Sequence, residues 1–585
     1  MKPIVFVLSI IINSIGASSL LAQKDTKSKY IDIQSDRMVV NEEKYPGATI
    51  LTKVGKQVYI THEGMKMWCD QAIHYKEKKF IKAFGDVKMV QGDTVTMRSK
   101  YAEYNGNTQF AFASTDVLLE SPSNTLTTDT LFFDRVRQQA YYRSGGTVRD
   151  TSMTLTSKIG RYYMDRKQYA FNTDVVVVDK ENTVNSDRLD YYEDTGHIYT
   201  YGPTTVKGRE STVYCERGFY DSNTNEGYGI KKSRIDYDNR TVFGDSIYYN
   251  SPLNFASATN NIKVLDTANQ SIIRGHYAEV FKDKDSVFIT KRALAISQQE
   301  NDSIYIHSDT LMVTGKPEHR IMRGFYDVRL FKQNMSGKSD SIHVDQSTGL
   351  TKLLGTPILW SGRSQMTGDT IVLISNTTTE KLDSLKVYDN SFLVQEDTLK
   401  EGYNQVKGQI LYGLFEENEL YQVDIDKNTE TVFYQRDDAQ ELIGINKVLS
   451  SRIKMLFEDR AITDVYYYQN VEGKLYPEEE LPVNARELDG LNWRGDEKIE
   501  DKGDLFAGEA PVQLVKIKGL PLPEDEEDFF DEETRKRLEE NNSGQSRLKV
   551  DDLKDAELKE TKSLQDSLPS SDTLQKANKK LKSSS

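Results

Sequence analysis

The chain has 585 residues, of which 37% are hydrophobic and 28% are charged, so it can cover a core but not a large, thick one. Its formal net charge of -14 disfavours nonspecific nucleic-acid binding, which needs a basic stripe to displace counterions. Tyrosine is frequent, with 33 residues, and proline is scarce, with 13. This composition predicts β structure with long, uninterrupted strands.

Residues 1–22 have the features of a secretory signal peptide. Lys2 supplies a positive charge, a mostly apolar run extends from Ile4 to Ile15, and small residues lead to a cleavage point after Ala22. The alternative is an uncleaved membrane anchor, although the run is short for a span of about 20 apolar residues. No cysteine follows the run, which excludes a lipoprotein anchor. We therefore predict an exported protein.

A six-residue pattern then recurs along the chain and ends in an aromatic or aliphatic anchor, as in SKYAEY (Ser99–Tyr104) and SDRLDY (Ser186–Tyr191). The anchors are spaced 29 to 33 residues apart and are His74, Tyr104, Phe133, Tyr162, Tyr191, Tyr220, Tyr249, Val280, Val313, Val344 and Leu373. The residues two positions earlier are apolar or small, namely Ala72, Ala102, Leu131, Gly160, Leu189, Gly218, Ile247, Ala278, Leu311, Ile342 and Ile371. Because residues two apart in a strand share a face, each anchor and its partner are predicted to form one inward-facing pair.

Turn-forming residues follow many anchors, and a second strand-like segment follows each turn, as in Gln109–Leu119. A β-propeller blade needs four strands and about 40–50 residues, more than this repeat holds. A repeat of two strands must instead stack on its neighbours to bury its apolar face. We predict an all-β fold of two-strand rungs stacked as an elongated open β jelly roll over residues 23–390.

The repeat loosens beyond Leu373, where weaker anchors occur at Tyr412 and Met455. We predict a second, less regular β section over residues 391–475. Residues 476–585 are predicted to be an irregular to disordered charged tail, because residues 524–540 alone carry ten acidic and three basic side chains.

No residue pattern predicts catalysis, a metal site or a cofactor. Cys69 and Cys215 occupy the same pattern position five repeats apart. Rungs of about 4.8 Å separate them by roughly 24 Å, too far for a disulfide. The histidines lack metal-pair spacing. Acidic residues such as Asp70, Asp187 and Asp245 recur at the second pattern position, where turn chemistry with nearby backbone amides is expected rather than calcium binding or acid–base catalysis.

Short motifs in this chain resemble the LptA/OstA family. Ile33–Met38 is similar to the first strand of that family, "SDR" recurs at Ser186–Arg188, and Phe84–Val87 resembles its G-x-V strand. With its closing Leu491–Arg494 segment and acidic tail, the chain is similar to the long OstA-like proteins of Bacteroidota. The resemblance spans about residues 31–475.

The resemblance implies an open, twisted β jelly roll in the periplasm that helps carry lipopolysaccharide from the inner to the outer membrane. It also implies partners of the LptC-like and LptD-like type, joined through edge-strand pairing, and head-to-tail self-association. Lipopolysaccharide, through its lipid A part, would occupy an apolar groove. The expected groove residues are Ala72, His74, Ala102, Tyr104, Leu131, Phe133, Tyr162, Leu189, Tyr191, Tyr220, Ile247 and Tyr249.

Two other functions remain open from the sequence. The first is a structural or adhesive β-solenoid that acts as an assembly platform, with the anchors fully packed. The second is a carbohydrate-active β-helix enzyme that uses part of the acidic column. Accessible space beside the anchors favours the conduit, and converging carboxylates would favour the enzyme.

Overall fold

The computed structural model describes residues 30–522, apart from 41, 44, 92–94, 123, 299–302, 334, 380, 398, 438 and 483–484, together with Lys536. The predicted signal peptide and most of the predicted acidic tail beyond residue 522 lie outside the described residues. The chain divides into two compact units. Among the described residues, the first unit contains 30–138 and Lys536, and the second contains 139–522.

The first unit is an antiparallel sheet. Its strands are β1 (Asp32–Gln34), β2 (Arg37–Val40), β3 (Ala48–Thr52), β4 (Val58–His62), β5 (Met65–Cys69), β6 (Gln71–Tyr75), β7 (Phe80–Gln91), β8 (Val95–Asn105), β9 (Phe110–Glu120) and β10 (Thr125–Asp134). Strands β5 and β6 both pair with β7, so they form the two halves of one bent strand, divided at Asp70.

The second unit is also antiparallel and continues the two-strand repeat. Its strands are β11 (Gln139–Tyr142), β12 (Gly146–Arg149), β13 (Thr154–Ser157), β14 (Ile159–Tyr163), β15 (Gln168–Val178), β16 (Thr183–Tyr192), β17 (His197–Lys207), β18 (Ser211–Asp221), β19 (Glu226–Tyr237), β20 (Arg240–Asn250), β21 (Phe255–Asp266), β22 (Ser271–Phe281), β23 (Ser286–Gln298), β24 (Ser303–Thr314), β25 (Ile321–Lys332), β26 (Met335–Asp345), β27 (Leu350–Leu354), β28 (Ile358–Ser361), β29 (Ser364–Thr367), β30 (Thr370–Ser375), β31 (Leu382–Glu396), β32 (Tyr403–Glu416), β33 (Glu419–Arg436), β34 (Leu442–Glu458), β35 (Ala461–Tyr468) and β36 (Glu472–Tyr476).

The predicted all-β fold of stacked two-strand rungs is confirmed. Successive strands pair in sequence order, so Tyr191 of β16 lies opposite Tyr169 of β15 and Ile198 of β17. Two strands of about 11 residues with their turns account for the 29-residue period. Each strand therefore adds to the neighbour that precedes it, as expected of a repeat that cannot bury its apolar face alone.

Most long strands are bent near their middle by a β-bulge. On β15 the register shifts between Asn172 and Val175, and the intervening Thr173 and Asp174 have φ of 66° and 51°. An inserted residue of this kind bends a strand and re-aims its side chains. Both halves of the strand can then direct apolar side chains into one interior, as Phe171 and Val177 do here.

The wider anchor spacing beyond Leu373 has a structural cause. Strands β31, β32, β33 and β34 contain 15, 14, 18 and 17 residues, against 10 to 13 in the earlier unbroken strands. Longer strands postpone each anchor without changing the antiparallel pairing. Their core includes Leu411, Ile425 and Ile453, which are fully buried.

Beyond β36, the described residues form no further strand, and we call residues 478–522 the C-terminal strap. The strap contains three short 3-10 turns, at Glu478–Glu480, Gly495–Glu497 and Asp504–Phe506. It runs back along the second unit, because Leu488 bonds to Gln405 of β32 whereas Leu520 bonds to Arg217 of β18. Its buried apolar side chains are Ala485, Leu488, Ile499, Leu505 and Leu520.

Candidate functional site

Most of the predicted groove residues are buried in the structure. Nine of the twelve are buried, namely Ala72, Ala102, Tyr104, Leu131, Phe133, Tyr162, Leu189, Tyr191 and Ile247. The other three, His74, Tyr220 and Tyr249, are partly exposed. Burial alone does not distinguish a filled core from a binding space, so the surroundings of these side chains decide what each can do.

In the first unit, the space around Tyr104 is filled by polar side chains. The Tyr104 hydroxyl accepts a hydrogen bond from Arg135 Nη1 at 2.7 Å and lies 2.8 Å from Nδ1 of His62. Arg135 also donates to Gln91 Oε1 and to the carbonyl oxygen of Glu63. Burial raises the pKa of the Tyr104 hydroxyl to about 12 and lowers the pKa of His62, so a neutral imidazole can accept the hydroxyl proton. This anchor belongs to a closed, hydrogen-bonded core.

The repeat pattern identified Tyr104 but not its partners. His62 and Arg135 lie 42 residues before it and 31 residues after it, and neither occupies the anchor position. A buried arginine near the end of a strand carries no sequence signal, because the same residue type is common on exposed strand ends.

In the second unit, the anchor column begins as an aromatic stack. The rings of Tyr162 and Tyr169 are 4.2 Å apart and nearly parallel, and the ring of Tyr191 lies 6.2 Å beyond Tyr169. The Tyr162 hydroxyl donates to the Glu193 carboxylate at 3.0 Å. Tyr220 and Tyr249 stack in the same manner at 6.2 Å. Anchors of neighbouring repeats thus take part in two aromatic stacks, one from Tyr162 to Tyr191 and one of Tyr220 with Tyr249.

Three of the predicted groove residues, Leu189, Tyr220 and Tyr249, line a pocket that is partly open to solvent, which we call the Tyr220 cavity. Most of its wall is apolar: Val177, Val184, Leu189, Ile198, Val206, Val213, Cys215, Phe219, Tyr220, Tyr228 and Tyr249. A neighbouring cavity shares Val213 and Tyr249 with it. Apolar linings of this kind are typical of ligand sites.

A second pair of cavities lies among strands β20 to β32. The first, the Ile306 cavity, is lined by aliphatic side chains that include Val287, Ile304 and Ile306. The second is larger and shares Ile304, Ile306 and Met322 with the first. The predicted anchors Val313, Val344 and Leu373 line these cavities, although the predicted groove residues extended only to Tyr249.

One end of the Ile306 cavity is charged. Arg240, Asp266 and Arg320 line it, and each is less than a tenth exposed. The Asp266 carboxylate oxygen Oδ2 lies 3.6 Å from Arg240 Nε and also bonds to Arg320 Nη1. Arg240 donates in addition to the Tyr237 hydroxyl at 3.2 Å. The site is therefore an apolar space with a polar end, a combination that suits an amphipathic ligand.

Cys69 and Cys215 are both free and buried, which confirms the prediction that they are unpaired. Burial raises the pKa of the Cys69 thiol to about 12 and that of the Cys215 thiol to about 11. Both therefore stay protonated near neutral pH. Cys215 contributes its side chain to the wall of the Tyr220 cavity.

The acidic column has a different geometry from the one expected. Asp245 lies in the middle of β20, and its carboxylate accepts a hydrogen bond from Asn261, a bulge residue of the adjacent strand, at 2.8 Å. Asp70 likewise accepts the backbone amide of Asp86, 16 residues away, at 3.1 Å. The prediction that these carboxylates bond to amides of their own turn was therefore wrong. Both residues lie where a rung bends, and the adjacent strand supplies the hydrogen-bond donors.

The part of the chain that the structure describes contains no group of three or more His, Cys, Asp or Glu side chains that could hold a metal ion. A search of the same residues for a helix of membrane-spanning length and apolarity finds none.

The fold and its interior define a class: an all-β repeat protein of the β-jelly-roll type, with apolar cavities in its second unit. Residues 27–187 match the family model described as "OstA-like protein". This match lies in the part of the chain where the motifs resemble the LptA/OstA family, and it supports that assignment. No curated protein matches the chain in sequence.

Among solved structures, a similar chain is described as LptH, the LptA homologous periplasmic component of the conserved lipopolysaccharide transport device from Pseudomonas aeruginosa. It is 14% identical, and the match covers 17% of this chain and 75% of that one, with a TM-score of 0.16.

Proposed function

We propose that this chain is a noncatalytic periplasmic conduit that helps carry lipopolysaccharide from the inner to the outer membrane, with acyl chains held in the cavities of the second unit. The observation that carries the proposal is the apolar wall of the Tyr220 cavity, built by anchors of successive repeats. The match of residues 27–187 to the OstA-like family supports the same assignment.

Passive transfer needs a surface that holds acyl chains without fixing them. The hydrophobic effect is non-directional and scales with the apolar area removed from water, so aliphatic and aromatic walls fit this requirement. Adjoining cavities share wall residues, among them Tyr249 in one pair and Ile306 in the other. A chain could thus pass from one space to the next within each pair.

Exposed apolar strands support partners that add by edge pairing. In the first unit, β2 pairs with β3, and Met38 and Val40 are 63% and 61% exposed. In the second unit, β35 pairs with β34 and exposes Tyr466 and Tyr468. Such strands are templates for β-augmentation, so we assign them to LptC-like or LptD-like partners or to head-to-tail self-association.

Photo-crosslinking in cells tests the conduit. A benzophenone amino acid in place of Tyr220, whose side chain lines the cavity, is expected to capture lipopolysaccharide. The control position is Tyr326, a bulge residue of the same unit that is 65% exposed. Capture from Tyr326 but not from Tyr220 would contradict the proposal.

The structural alternative has support in the first unit, where hydrogen bonds from Arg135 and His62 fill the space at Tyr104. A packed core of this kind suits a rod or platform. Lipid extraction followed by mass spectrometry separates the two functions. Purified conduit is expected to yield stoichiometric acylated lipid, whereas a structural solenoid yields only traces.

A further inference from the structure

The buried arginine pair at the end of the Ile306 cavity carries more positive charge than its surroundings neutralise. Arg240, Asp266 and Arg320 are 6%, 6% and 3% exposed. Two guanidinium groups share one carboxylate, so the cluster has a net charge of about +1 by formal count. Burying a charge without a partner costs several kcal/mol per ion in general, so a folded protein seldom keeps one without a use.

The carboxylate has no capacity left to neutralise the second arginine. Oδ2 of Asp266 faces both guanidinium groups. Its other oxygen, Oδ1, accepts from Asn239 Nδ2 and, at 3.1 and 3.2 Å, from the backbone and side-chain nitrogens of Asn269. A carboxylate has about four lone-pair sites, so Asp266 is fully occupied.

Two side-chain atoms of the residues that line the Ile306 cavity are buried without a hydrogen-bond partner. Nε of Arg320 is buried with no hydrogen-bond partner, and so is Oε1 of Gln346, whose side chain lines the same cavity. The first is a charged donor and the second an acceptor. A phosphate monoester offers both complements, an anionic oxygen for the guanidinium and, in its monoprotonated form, a P–OH hydroxyl for the carboxamide.

The cluster lies where a headgroup would be expected to meet the end of a groove. Arg240 begins β20 and pairs with Asp266, the last residue of β21, and Arg320 directly precedes β25. All three are therefore at strand ends, beside hairpin turns. The aliphatic residues Val264, Ile273, Val287 and Ile306 line the same cavity.

We infer that Arg240 and Arg320 bind the phosphate group of an acylated lipid whose chains occupy the Ile306 cavity and its neighbour. This inference rests on the proposed conduit and adds the chemical class of its headgroup site. Arg320 supplies the free Nε donor, and Asp266 holds the two guanidinium groups together when no anion is bound. Arginine suits this role because its planar fork matches phosphate geometry.

The test measures binding of two short-chain lipids to the full chain by titration calorimetry. Dihexanoyl phosphatidic acid carries a phosphate monoester, and dihexanoylglycerol has the same chains without it. The wild-type protein is expected to bind the phosphate lipid about tenfold or more tightly, since hydrogen bonds between charged groups are about twice as strong as neutral ones. Arg320→Met should reduce this preference to near unity while leaving the affinity for dihexanoylglycerol unchanged.

The matched control is Arg274→Met, which makes the same change at an exposed position of β22, next to the buried Ile273. It is expected to keep the wild-type preference. If Arg320→Met fails to fold, as judged by circular dichroism, the wild-type protein still tests the proposal through its relative affinity for dihexanoyl phosphatidic acid and dihexanoylglycerol.

The outcomes separate the two proposals. Equal affinity for both lipids overturns the headgroup site and leaves the conduit intact, whereas no binding of either lipid overturns both. Inorganic phosphate, titrated alone, distinguishes the source of the anion. Binding as tight as that of phosphatidic acid would show that the acyl chains add nothing and would overturn the lipid assignment.

Discussion

Asn260, on a β-bulge of the second unit, exchanges two hydrogen bonds with the backbone of Val515, 255 residues further along the chain. Its Oδ1 accepts the Val515 amide at 3.0 Å, and its Nδ2 donates to the Val515 carbonyl at 2.8 Å. The side-chain carboxamide thus makes the two hydrogen bonds that a backbone residue would make in a β-ladder. Gln365 makes the same exchange with Asn492 and Arg494.

Gln405 repeats the arrangement with the carbonyl of Arg486, at 2.7 Å, and the amide of Leu488, at 2.8 Å. The C-terminal strap is therefore held to the rungs at intervals by amide side chains rather than by strand pairing. Because each contact is discrete, each can be removed without altering a strand.

Asn260→Ala is expected to loosen the strap near Val515 without unfolding the unit. The change leaves a backbone amide and a carbonyl without their partner, at a local cost of about 1–3 kcal/mol. Hydrogen exchange of the Val515 amide should accelerate by roughly tenfold or more. Asn261→Ala, which removes the adjacent bulge side chain and its bond to Asp245, is the control and should leave that amide unchanged.

Acid is expected to release the middle of the strap. Two hydrogen bonds from the Arg494 guanidinium, with a further one from Lys338, lower the pKa of Glu497 to about 2 from an ordinary value of 4.5. A lowered folded-state pKa contributes stability that is present above about pH 4.5 and is lost as the pH falls toward 2.

Fluorescence of the adjacent Trp493, which packs against Tyr403 at 5.1 Å, reports this release. The variant Glu497→Gln lacks the charge at every pH. We expect wild type and variant to differ at pH 7 and to converge near pH 2. A difference that stayed constant over that range would contradict the role of Glu497.

Two threonines on the wall of the Tyr220 cavity should respond in opposite directions to the same change. The Thr200 hydroxyl is buried without a hydrogen-bond partner, whereas that of Thr204 bonds to Ser186 Oγ at 2.9 Å and to the carbonyl oxygen of Gly202 at 3.1 Å. Thr200→Val should stabilise the protein by up to about 1 kcal/mol, and Thr204→Val should destabilise it by about 1 kcal/mol. Urea unfolding followed by circular dichroism measures both.

The Cys215 thiol should react slowly with a disulfide reagent in the native protein. Burial raises its pKa to about 11, so little thiolate forms at pH 8. The folded protein favours the neutral thiol, and the stability that this preference contributes is present below the ordinary thiol pKa near 9. It is lost as the pH rises toward 11. In a Cys69→Ala background, we expect the reaction to be faster in denaturant, and slower still when a lipid fills the cavity. Rapid reaction of the native thiol would show that the cavity is open to solvent.

The sequence by itself determined the period and the direction of the side chains. Alternation along a strand is a local property, so the positions of Leu189, Tyr191 and Tyr220 predicted an inward column before any contact was known. The same phase predicted that Cys69 and Cys215 are unpaired, and the structure confirms it.

Only the tertiary structure decided which parts of that column enclose space. Tyr104 and Tyr220 have the same place in the repeat, yet Arg135 and His62 fill the interior at the first, and a cavity lies beside the second. The difference depends on side chains from other rungs, whose approach is set by bulges and turns and carries no periodic signal.

The charged cluster and the attachment of the strap were likewise decided only by the tertiary structure. Arg320 reaches Asp266 across 54 residues, and Asn260 reaches Val515 across 255. Residues so distant come together only when the stacked strands are in place, because the contact depends on how many rungs lie between them and on how each strand bends. Periodicity describes one strand and its face; the meeting of two such strands is a property of the folded chain alone.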